Sequence, residues 1–201
     1  MKKFFSLLSI ALIAMIGFSA CNTDDENEAR VLSGEWEGDW GMFYDYQYDN
    51  GAIDRFYASN TYIKLTPDHS NATHGTGIQE DYYRRGPYEY RWFKFNWEVR
   101  DGVIYLTYPH DHELDVDIYD YQLSNDYFTG YFGDSNSRFR MSKLTDFYYW
   151  TPAVYIDSYY GYTLYDYLYS NKYEGTAKSK DFKAEGKVIK NGRDLTHGGE
   201  K

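Results

Sequence analysis

Two features of this chain have the chemistry to act on another molecule: a short acidic, histidine-bearing run and an excess of aromatic rings. The run is His110-Asp111-His112-Glu113-Leu114-Asp115-Val116-Asp117. On a strand His110 and His112 would share one face, and the surrounding carboxylates suit a hard cation. A zinc site needs three or four placed ligands, whereas Pro109 marks this stretch as a loop and no third histidine follows at a defined spacing. The expectation is a solvated polar turn and no metal. Carboxylates number 31, yet no two are marked out as the acid and base of a glycoside hydrolase. A Gly-x-Ser-x-Gly elbow is absent, and Gly75-Thr76-Gly77 leads into neither a helix nor a lysine pattern, so it is no phosphate loop. The chain is therefore expected to be a binding or structural module that uses no cofactor, rather than an enzyme.

The rings are the richer feature, with Phe, Trp and Tyr making up 21% of the chain and Tyr alone present 25 times. Trp40, Trp92, Trp97, Tyr119 and Tyr121 are the candidate ligand-contacting residues. Four of them lie where the apolar face of a strand changes side, so that one face need not be core. Apolar walls with a few polar groups make ligand pockets, and exposed Trp or Tyr faces stack on sugars. Against this stands a plainer account, in which inward rings simply fill the space that a small sheet encloses.

Strands must position these rings. From Trp36 to Tyr48 the even positions are Trp, Gly, Trp, Met, Tyr, Tyr and Tyr, while the odd ones are mostly acidic or polar. A period of two is a strand with one apolar and one wet face. Asp49-Asn50-Gly51 turns the chain, and strands follow over 56–66, 75–83, 88–99 and 103–108, separated by turn residues. In the 88–99 segment the apolar positions pass from even (Tyr88, Tyr90, Trp92) to odd (Phe93, Phe95, Trp97, Val99), which requires either a bulge or cover on both faces. Leu114, Val116 and Ile118 then give way to Tyr119, Tyr121 and Leu123, a second change of phase. Strands over 127–132 and 139–144 complete a series of eight joined by short turns. Such an antiparallel up-and-down meander closes into a barrel, a β-sandwich or jelly roll being the alternative all-β reading. The Tyr-rich stretch 146–173 is expected to pack on this domain. Glu174 to Lys201, with seven Lys or Arg against five Asp or Glu and few large apolar residues, is expected to be a flexible tail.

Ahead of these strands, Lys2-Lys3 and the apolar run Phe4 to Phe18 read as a secretory signal over 1–20. Its end, Phe18-Ser19-Ala20-Cys21, resembles the lipobox of bacterial lipoproteins, with Phe where that motif usually has Leu. The resemblance implies acylation of Cys21, the only cysteine, by chains such as palmitate, and leaves no thiol for a disulfide. Residues 21–31 include the run Asp24-Asp25-Glu26-Asn27-Glu28 and are expected to be an acidic, flexible tether. That run also resembles the export signals of surface-exposed outer-membrane lipoproteins.

Gly34-x-Trp36 at the entrance to eight antiparallel strands resembles the lipocalin-like lipoproteins of Gram-negative bacteria. The resemblance covers about Leu32 to Leu144 and implies a barrel whose floor is closed by Trp36, packed by an arginine of the last strand, Arg138 or Arg140; with the Tyr-rich stretch as its C-terminal extension, the barrel domain is expected over 32–173. It also implies a cell-envelope protein held to the membrane by its lipid, expected to be monomeric. Its ligand would be a small apolar or amphipathic molecule, or in the alternative a glycan, unless its role is purely structural. A formal charge of -10 disfavours nucleic acid as a partner.

Overall fold

The computed structural model describes residues 24–133, 138–145 and 173–196. After a helix, α1, over residues 24–32, the strands are β1 (Gly34–Asp39), β2 (Met42–Tyr48), β3 (Ile53–Tyr57), β4 (Asn60–Pro67), β5 (His74–Tyr82), β6 (Tyr88–Arg100), β7 (Val103–Thr107), β8 (Val116–Leu123), β9 (Tyr127–Phe132), β10 (Arg138–Thr145), β11 (Glu174–Lys178) and β12 (Gly186–Arg193). Eight of them pair in sequence order, β1-β4-β5-β6-β7-β8-β9-β10, and β10 returns to β1. Every pairing is antiparallel, so the sheet closes into an up-and-down barrel with no free edge.

The first two expected strands are each interrupted, and between them they make an inserted hairpin. Alternation runs unbroken from Trp36 to Tyr48, but at Gly41 the backbone takes φ +67° and the chain leaves the barrel. Asp39 Oδ1 accepts from the Gly41 N–H at 2.9 Å and fixes the corner. β2 then pairs with β3, and Ala58-Ser59 lead the chain back into β4. Parity does not reveal the corner because Met42, Tyr44 and Tyr46 are buried as well. Tyr44 and Tyr46 belong to a second cluster, with Tyr83, outside the main core.

The two changes of phase have different causes. In β8 the register with β9 shifts between Tyr119 and Gln122, and Asp120 takes φ +47°, so this one is a bulge. β6 runs through residues 90–98 against β5 with no shift, so there both faces are covered. Its inner face presents Phe93, Phe95, Trp97 and Val99 to the barrel core, while Tyr90 and Trp92 are buried on the outer face.

Residues 174–196 are not a tail, since two strands form within them, and 197–201 lie outside the described residues. β7 is short because Pro109 cannot extend its ladder, and β11 occupies the β6 edge that β7 leaves, pairing Glu174 with Phe93 and Gly175 with Trp92. β12 pairs with β2 to make a three-stranded sheet, β12-β2-β3, at one end of the barrel. These strands pack through small residues against rings: a β-carbon on Gly175 would collide with the Trp92 indole, and one on Gly192 would meet the Phe43 ring at 2.6 Å. The expected packing of the Tyr-rich stretch falls outside the described residues, except Tyr173, which is exposed.

The expected tether is structured from residue 24 on. Positions 25, 28, 29 and 32 share one face of α1, and Ala29 and Leu32 are fully buried against the core. Asp25 accepts from the N–H groups of Asp101 and Gly102 at 3.1 and 3.4 Å, and Glu28 accepts the Tyr121 hydroxyl proton. The helix thus closes the barrel floor. Trp36 Nε1 donates to the Leu32 carbonyl at 2.7 Å, and Lys143 Nζ donates to the Val31 carbonyl at 2.7 Å while lying 5.1 Å from the Trp36 ring. The basic partner of Trp36 is therefore Lys143, neither Arg138 nor Arg140, both of which are exposed on outward positions of β10. Lys143 suits the place twice over, as a cation at a helix C-terminus and over an indole face.

Candidate functional site

Among the described residues the barrel interior holds almost no empty space. Its cavity is about 10 Å³, lined by Leu32, Trp36, Trp40, Ile63, Ile118 and Phe128 among others. That is room for one water and for no apolar ligand. Trp40, 1% exposed, sits edge-on to Phe132 and Phe139 at centroid distances of 4.7 and 4.6 Å. Trp97 is buried likewise and donates its indole N–H to the Thr76 carbonyl at 3.1 Å. Trp92 lies outside the barrel against β11. Tyr121 turns inward after the bulge and meets Glu28 of the floor helix. Tyr119 is 42% exposed and donates to Asp117 at 3.2 Å in an outer cleft. The five candidate rings therefore do not share one wall, and Cys21 lies outside the described residues.

The acidic, histidine-bearing run also disperses. His110 packs its ring on Tyr173 at 4.2 Å, and His112 Nδ1 meets Asp115 Oδ2 at 3.0 Å. Among the described residues no three His, Cys, Asp or Glu side chains are gathered to hold a metal.

The side chains that do converge were not signalled by any motif. At the end of the barrel opposite α1, inward positions of β4, β5 and β6 carry Thr61, Gln79, Asp81 and Arg91, all buried. Tyr108, just beyond β7, and Arg193, at the end of β12, complete the group. Their hydrogen bonds run in one direction. Arg193 Nη2 donates to the Tyr108 hydroxyl at 2.9 Å, the hydroxyl donates to Gln79 Oε1 at 2.6 Å, and Gln79 Nε2 donates to Asp81 Oδ2 at 2.8 Å. Thr61 supplies the second donor to Asp81, at 2.7 Å. A cation thus stands at one end of the relay and a carboxylate at the other, an order in which each bond polarises the next. Beside it Arg91 donates to Asn191 Oδ1, and Asn191 Nδ2 donates to Asp111 Oδ2.

Burial sets the electrostatics of this mouth. Loss of solvent raises Asp81 from 3.8 to about 6, against the lowering effect of its two hydrogen bonds and of Arg193 and Arg91. Tyr108 is pushed up to about 12 by the same loss of solvent, with Arg193 opposing. Asp81 is wholly enclosed by described residues. The mouth as it stands is a polar seal that ties the β12 sheet to the barrel.

The molecule is an all-β protein, a closed barrel of eight antiparallel strands with a helix across its floor and a small sheet over its mouth. A lipocalin-like protein from Bacteroides uniformis of known structure is similar to it, at 13% identity and a TM-score of 0.35, over 57% of this chain and 99% of that one. The strand pairings, not that distant likeness, establish the barrel. No protein-family model matches the sequence, and neither does any curated protein.

Proposed function

We propose that this chain is a cell-envelope lipoprotein, acylated at Cys21, whose barrel is a rigid non-enzymatic module that acts through its outer surface and carries nothing inside. The observation behind this reading is the filled interior: a carrier of apolar molecules needs a cavity of several hundred Å³, and this barrel has about 10 Å³. The lipobox-like end of the leader supports the anchor. The experiment has two parts. Expressed with its leader in a Gram-negative host, the protein should partition into detergent and take up labelled palmitate, and Cys21→Ser should abolish both. The leaderless protein should show no saturable binding of a fluorescent fatty acid. Uptake of the fatty acid at one site would reverse the reading of the barrel; unlabelled protein in the aqueous phase would reverse that of the anchor.

A glycan is the second reading, favoured by one groove. On the outer faces of β5, β6 and β7, His74, Thr76, Asn96, Glu98, Tyr105 and Thr107 line a depression of about 390 Å³. It offers hydroxyl, amide, imidazole and carboxylate groups beside a tyrosine, the mixture that meets sugar hydroxyls and one sugar face. Binding on a glycan array that Asn96→Ala removes would establish it, and an empty array would remove it.

A further inference from the structure

Arg193 reaches the barrel mouth from the last described strand, and what receives it is more elaborate than a packing contact. Its guanidinium carbon lies 5.3 Å from the centroid of the Tyr108 ring and 5.3 Å from that of Phe132. Nη1 donates to the Leu114 carbonyl at 2.6 Å, and Nη2 donates to the Tyr108 hydroxyl. That hydroxyl passes its own proton toward Gln79 and so toward the carboxylate of Asp81. Two aromatic faces, a backbone carbonyl and a relay ending in a buried anion are the parts from which a guanidinium site is built. They come from β5, β9, the residue after β7 and the turn before β8, so the barrel supplies the whole receptor and β12 supplies only the occupant.

Apart from Arg193, the far end of β12 is fixed by the bonds of Asn191 to Arg91 and Asp111 and by Leu195 against the core, whereas its first half holds only through its ladder with β2. Residues 183–185 of the connection and Gly186, Lys187, Ile189 and Lys190 of β12 are exposed, and the strand lies at the edge of a three-stranded sheet. Its ladder with β2 is broken by a shift between Val188 and Lys190. An edge strand with a bulge and few buried side chains opens at low cost compared with the barrel.

We infer that the barrel mouth is a binding site for the guanidinium of an arginine side chain, filled in the resting chain by its own Arg193. The receptor is set by rings, a carbonyl and a relay that all remain when β12 is drawn away. An arginine on an extended peptide is the ligand class it takes, and Arg193 excludes that ligand until the strand leaves.

The test is chemical rescue of the full-length chain. Arg193→Ala should lower the melting temperature, and ethylguanidinium at millimolar concentration should restore at least half of the loss along a saturable curve. Ethylammonium, which has the charge without the planar fork, should restore little, and wild-type protein should respond to neither. No recovery, equal recovery with ethylammonium, or an equal rise in the wild type would each overturn the inference. Should the variant not fold alone, refolding it with and without ethylguanidinium decides the matter equally well. Near-UV dichroism that returns only with ethylguanidinium supports the site, and dichroism that stays lost in every solution removes it.

Discussion

Asp81 is a carboxyl that the fold takes wholly out of water. It is fully buried, its folded value of about 6 lies above the ordinary 3.8, and burial is the first cause. A carboxyl raised on folding favours the folded state only while it is protonated. Its contribution is complete below about 3.8 and is lost as pH rises through about 6, the reverse of a salt-bridged aspartate. A rise of that size corresponds to roughly 3 kcal/mol. Urea denaturation of wild type and Asp81→Asn at pH 4 and pH 7 separates this contribution from that of every other carboxylate. Wild type should lose roughly 2–3 kcal/mol relative to the variant between the two pH values, and parallel profiles would show that Asp81 does not titrate between them. Nothing in the sequence singles out this residue, because Glu80-Asp81 reads as two more charges in an acidic chain. Only the inward parity of β5, with Gln79 and Asp81 on the face of Gly75 and Gly77, places the carboxyl inside.

At the scale of elements, legibility followed hydrophobic period and stopped where packing used something else. Strands β4, β8 and β10 alternate large apolar with polar residues, which is enough to find them, whereas β5, with Gly75, Gly77, Gln79 and Asp81 inward, is marked mainly by the turns on either side. α1 is hidden because only Ala29 and Leu32 on its inner face are apolar, while its acidic first turn, which suits a helix N-terminus, reads as a tether. β11 and β12 are hidden because they meet rings with glycines, so the complementarity lies in missing side chains. The helix is nonetheless integral to the floor. Leu32→Ala removes a fully buried side chain beside Trp36 and should cost about 2–5 kcal/mol. Amide exchange should quicken across residues 25–33 and in the Asp101-Gly102 turn that Asp25 holds. Unchanged exchange there would mean that α1 only rests on the barrel. Gly34 makes the same junction exacting from the other side. Its φ of +131°, and the Thr145 carbonyl oxygen 2.5 Å from where a β-carbon would stand, require glycine at the first position of the Gly-x-Trp motif.

For the whole molecule, counting hairpins predicts closure, but whether a closed barrel is hollow depends on how its rings interlock, which a strand pattern does not contain. Trp40 decides much of that here. It fills the space among Phe128, Phe132 and Phe139, with Phe132 and Phe139 themselves 4.7 Å apart. Removing so large a side chain from a rigid eight-stranded wall leaves a void that the wall cannot collapse to fill. Trp40→Ala should therefore cost about 3–5 kcal/mol. An engineered apolar void of roughly 150 Å³ stays dry and admits benzene, so benzene should raise the melting temperature of the variant and leave that of the wild type unchanged. The same contrast bears on function. If the barrel is solid because of Trp40, a fluorescent fatty acid that ignores the wild type should still fail to enter the variant, whose void is too small and whose mouth is sealed by Arg193. Benzene binding without fatty-acid binding would separate a filled scaffold from a closed carrier, and fatty-acid binding by the variant would show that one side chain divides the two.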